Sequence, residues 1–73
     1  MSLLHFVCRY GRADLVTPLV EKYGADTDAK DDVQNTPLHT AAAHNKADCI
    51  DVLINKHKAD ANVLNKDGET PVY

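Results

Sequence analysis

The stretch TPLHTAAAHNKAD, Thr36–Asp48, decides the reading of this chain, because Thr-Pro returns at Thr70-Pro71. A catalytic loop or a metal site would account for one copy of the dipeptide. A repeat accounts for both. Sliding the sequence by 34 residues superposes Leu4 on Leu38, His5 on His39, Ala13 on Ala47 and Asp14 on Asp48. It also superposes Leu19 on Leu53, Lys22 on Lys56, Ala25 on Ala59 and Asp26 on Asp60. With Thr36-Pro37 on Thr70-Pro71, the shift gives ten identities over 39 overlapping positions without a gap. Ser2 with Thr36, Arg12 with Lys46 and Val16 with Ile50 add conservative matches. Self-similarity at such a period marks a repeat architecture, in which each unit is one supersecondary element.

The unit reads outward from its Thr-Pro. Thr36 has the side chain of a helix N-cap, and Pro37 fits the first helical position, where a missing N–H costs nothing. A first helix, rich in Ala, is predicted from Pro37 to about His44. Asn45-Lys46 interrupts it, and a second helix is predicted from Ala47 to about His57. Its Cys49, Ile50, Leu53 and Ile54 fall on one helical face. A polar, turn-rich finger follows, with Asp67-Gly68 as the turn signal. The first unit repeats the plan, with helices near 3–10 and 13–23 and a finger over 25–35. Pro18 inside its second helix predicts a kink, or a late start near Asp14–Leu15.

Composition narrows the function classes. The 73 residues allow one small domain, with a net charge of −3 and no basic stripe. Nucleic-acid binding therefore has little electrostatic support. Three Tyr, one Phe and no Trp make a poor stacking platform for bases. No apolar run is long enough to span a bilayer. His5 and Arg9 follow Met1-Ser2-Leu3-Leu4 too closely to leave a signal-peptide core. Cys8 and Cys49 make neither a disulfide framework nor a zinc quartet. A reducing location, cytoplasmic or nuclear, is the expectation.

TPLHTAA at Thr36–Ala42, GADTDAKD at Gly24–Asp31 and KADANVLNKDGETP at Lys58–Pro71 resemble the ankyrin repeat. The resemblance covers essentially the whole chain. It implies an all-α solenoid of helix pairs joined by β-turn fingers, with units over about 2–35 and 36–69 and the start of a third at 70–73. This chain departs from the family pattern in several places. Its period of 34 residues exceeds the usual 33 or so, and the extra residue falls in or just after the second helix. Lys58 stands where Gly24 ends the second helix of the first unit. Gln34 replaces the finger glycine that Gly68 supplies, and Asn45 replaces the inter-helix glycine that Gly11 supplies.

The resemblance also implies a function, protein recognition through fingertips and the exposed side of each first helix. Carried over by position, the candidate contacts are Asp32, Val33 and Asn35 on one finger and Lys66, Asp67 and Glu69 on the other. Phe6, Arg9 and Tyr10 come from the first helix, and Thr40, Ala43 and His44 from its counterpart. A regulatory or tethering segment of a larger enzyme or membrane channel is the alternative. Asn62, in ADAN at Ala59–Asn62, resembles the finger asparagine that hydroxylases modify. The resemblance gives His5 and His39 a structural role, bracing backbone between units. No phosphate loop, nucleophile elbow or metal spacing is present, so neither catalysis nor a cofactor is expected. Self-association is expected through an open trailing face carrying Ile50, Leu53 and Ile54, with Val72 and Tyr73 beyond it.

Overall fold

A computed structural model describes residues 2–71; Val72 and Tyr73, expected beside the trailing face, lie outside the described residues. Four helices follow one another: α1 (Leu3–Arg9), α2 (Ala13–Glu21), α3 (Pro37–Ala43) and α4 (Ala47–Asp51). α4 runs directly into a π-helical turn over Val52–Lys56. Among the described residues no strand forms, and no helix is long and apolar enough to cross a membrane.

α1 and α3 begin with the same device. The hydroxyl of Ser2 or Thr36 accepts from the backbone N–H of His5 or His39, at 3.3 and 3.4 Å. Each histidine returns the bond through Nδ1, which accepts from the cap residue's N–H at 3.2 and 3.1 Å. This is a capping box in which His takes the place usually held by Glu or Gln. Pro37 sits in the first turn of α3 as its fixed φ requires. Gly11 and Asn45 end the two first helices with φ of 74° and 58°, the left-handed region that Gly and Asn tolerate.

α1 packs chiefly on α3, and α2 on α4 and its π turn, so the two units stack as layers. The shared core holds Leu4, Val7, Cys8, Val16, Leu38, Ala41, Cys49, Leu53 and Ala59. Leu53 is fully buried, which corrects its placement on an open trailing face. Of the three residues expected on that face, only Ile50 and Ile54 remain half-buried.

The extra residue of the long period sits in the closing turn of the second helix. The N–H of Ala25 bonds the carbonyl of Leu19, and that of Ala59 the carbonyl of Leu53, both at 2.9 Å. Each closure spans one residue more than a Schellman motif. In the second unit the surplus appears as the π turn, with His57 N–H on the carbonyl of Val52. Single π turns are the usual form of an inserted helical residue. α2 starts at Ala13, so the late start that Pro18 allowed does not occur, and the ring lies exposed within the helix.

Candidate interaction surface

The fingers carry half of the candidate contacts, and two residues shape them. Oδ1 of Asp31 accepts from the N–H groups of Val33 (3.0 Å) and Asn35 (2.9 Å). Oδ1 of Asn65, its counterpart one period on, accepts from Asp67 (2.9 Å) and Glu69 (3.0 Å). Backbone closure completes both tips, Asp31 N–H to Asn35 carbonyl and Asn65 N–H to Glu69 carbonyl, at 3.0 Å each. Asp and Asn organise turns in this way because their side chains reach the backbone two residues on. Neither residue was among the sequence candidates. Their equivalence under the 34-residue shift, as short acceptors at the start of each tip, was the available signal.

The two tips are joined into one ledge. Lys66 N–H donates to the carbonyl of Val33 at 2.9 Å, and Asn65 Nδ2 donates to Oδ1 of Asn35, also at 2.9 Å. Asp32, Val33, Lys66, Asp67 and Glu69 are exposed along that ledge. Asn35 is half-buried and spends its side chain on the junction. Histidine ties the ledge to the helices. Nε2 of His5 donates to the carbonyl of Asn35 at 2.7 Å, and Nε2 of His39 to that of Glu69 at 2.9 Å. Since Nδ1 accepts from the cap N–H, the ring proton belongs on Nε2. The histidines brace backbone as expected, but each ties the finger of its own unit, His5 to Asn35 and His39 to Glu69, rather than the neighbouring unit.

On α1, Phe6 and Tyr10 are exposed and touch each other, with ring centroids 4.8 Å apart and planes tilted by 54°. The guanidinium of Arg9 lies 5.9 Å from the Tyr10 ring, within cation–π range. Ala43 and His44 are exposed at the matching positions of α3. Thr40 is the exception. It is buried, 8% exposed, and its hydroxyl donates to the carbonyl of Thr36 at 3.4 Å. It faces the first unit, so it is no part of an open surface. Asn62 is exposed, and its N–H donates to Oδ1 of Asp60 at 2.8 Å.

The remaining reactive groups are inward or isolated. Burial, and then the neighbouring Cys49, push the Cys8 thiol up to about 12, and burial raises Cys49 as well. Such thiols are poor nucleophiles, because the thiolate is the reactive form. Asp14, exposed at the start of α2, is held below the usual carboxylate range by its bond to Arg12, 3.3 Å away. His57 Nε2 meets the Thr17 hydroxyl at 3.1 Å. Among the described residues no group of three His, Cys, Asp or Glu is placed to hold a metal ion.

Stacked helix pairs joined by braced turns define a helical repeat protein. The family described as "Ankyrin repeats (3 copies)" matches residues 4–73, and the chain belongs to it. Repeats of this family are generally protein–protein interaction modules and typically non-catalytic.

Proposed function

We propose that this chain is an interaction scaffold that holds a partner protein against the ledge and the exposed ends of α1 and α3. The observation that carries the reading is the division of labour in the side chains. Every described buried side-chain polar atom has a partner within the fold, whereas Arg9, Tyr10, Val33 and Lys66 are exposed. These four side chains are therefore available for contact. Aromatic residues and Arg dominate binding energy at protein interfaces, which puts Tyr10 and Arg9 first. The buried, unpaired Cys8 and Cys49 support a reducing location, cytoplasmic or nuclear. Attachment to a larger enzyme or channel would use the same surface, as a tether.

Site-specific photo-crosslinkers test the reading. Placed at Tyr10 and Val33, they should capture the same protein in cells, while probes at Glu21 and Lys56 should not. Equal capture from both pairs of positions would reject the assigned surface.

A further inference from the structure

The repeat lets each exposed residue be compared with its own counterpart one layer away. Leu3, Phe6 and Leu15 are 62%, 51% and 38% exposed. Their counterparts in the second unit, Pro37, Thr40 and Cys49, are all buried. The second unit has the first unit lying on that face; among the described residues nothing lies on the same face of the first. The opposite faces show the reverse. Cys8 and Val16 of the first unit are fully buried, in one core with Leu38, Cys49 and Leu53 of the second. Their counterparts Ala42 and Ile50 are half-buried, and line a groove of about 360 Å³ together with Ala43 and Asn45.

We propose that a second copy of this chain stacks on the first head to tail, with Leu3, Phe6 and Leu15 of one copy seated in the Ala42–Ile50 groove of the next. The contact inside the chain is the template. There, Cys8 and Val16 of the first unit share one buried core with Cys49 of the second, with Val20 packed against it, and Cys8 lies beside Cys49. In the groove Ala42 and Ile50 take the register places of Cys8 and Val16, and the second finger, with Asn65, Glu69 and Pro71, forms its far wall. The incoming face is bulkier than its internal counterpart, Phe for Thr and Leu for Cys, and the open groove supplies the room. The contact joins two different faces, so it leaves both ends of a pair free and extends into open arrays. It rests on the packing faces alone and holds whether or not the fingertips bind a partner.

One seam of the template changes. The Asn65–Asn35 bond between adjacent tips becomes Asp31 of one copy beside Glu69 of the next. Two carboxylates repel, and salt screens them. Association of this register therefore tightens as salt rises, and Glu69→Gln tightens it at low salt.

Sedimentation velocity over a concentration series reads the outcome. The natural chain should grow in average mass with concentration. Phe6→Ser and Ala42→Arg should each weaken association at least tenfold, while an equimolar mixture of the two should form pairs and stop there. Circular dichroism checks the fold of each variant. Should Ala42→Arg lose helix, Ala43→Arg, at an exposed position in the same groove, takes its place. A strictly monomeric natural chain, unchanged association in Phe6→Ser, or a mixture that stays monomeric would each overturn the proposal and give the Leu3–Phe6 face to another occupant.

Discussion

His39 links three things at once: the cap of α3, the end of the second finger and the core beneath them. Its ring accepts from Thr36 N–H and donates to the Glu69 carbonyl, and it is buried. Replacing it with Ala leaves two backbone groups short of a partner, and each costs about 1–3 kcal/mol where water cannot enter. His39→Ala is therefore expected to lower the urea midpoint sharply, whereas His44→Ala, at an exposed position, leaves it nearly unchanged. Cys8 gives a second prediction at this scale. Burial, and then the neighbouring Cys49, push its thiol up to about 12 in the fold, above its ordinary value of 9.0. The folded form thus resists losing the proton. The stability this contributes is complete below about pH 9 and is lost as pH rises towards 12. Denaturation of the natural chain and of Cys8→Ala across that window should show the natural chain losing stability faster. Parallel curves would contradict the shift.

Helix ends decide the next scale. Gly24 and Lys58 end the two second helices at φ of 68° and 56°. A left-handed residue with a Cβ costs roughly 1 kcal/mol. Lys58→Gly should accordingly stabilise the chain by about that amount, less the entropy gained by the unfolded state. Gly24→Ala should destabilise it by a similar amount, through backbone strain alone, since nothing stands within 4 Å of the added Cβ. Thermal melts of the two variants should therefore shift in opposite directions. These ends were legible beforehand because glycine in one unit marks the position in the other. The helix boundaries were legible too, since Thr-Pro and the apolar faces are local signals. The π turn was not, because an inserted residue shows only as a count, and hydrogen bonding chooses where it goes. Nor was the burial of Thr40. Periodicity places it on α3, but only the stacking of the two layers shows which side α1 covers. Phe6 and Thr40 share one register position and differ in exposure for that reason alone.

At the scale of the molecule the core is thin. Of the nine buried apolar core residues among those described, four are Ala or Cys. Repeats of this kind draw stability from neighbours, and about three are needed for a robust fold. Leu53 is among the few large side chains fully buried. Leu53→Ala costs about 2–5 kcal/mol, enough to erase most of the helical signal of so small a domain. Lys66→Ala, at an exposed tip, stays within about 0.5 kcal/mol. The same thinness makes stability sensitive to anything that covers the faces of the stack. A contact made only by folded copies raises the apparent stability by mass action. Melting should therefore be low and broad at dilute concentration, and its midpoint should climb as the chain is concentrated. In Phe6→Ser the midpoint should stay fixed over the same series, because that chain folds alike but stacks poorly. A sharp, high transition that ignores concentration in both chains would mean that two layers suffice and that the Leu3–Phe6 face adds nothing to the fold.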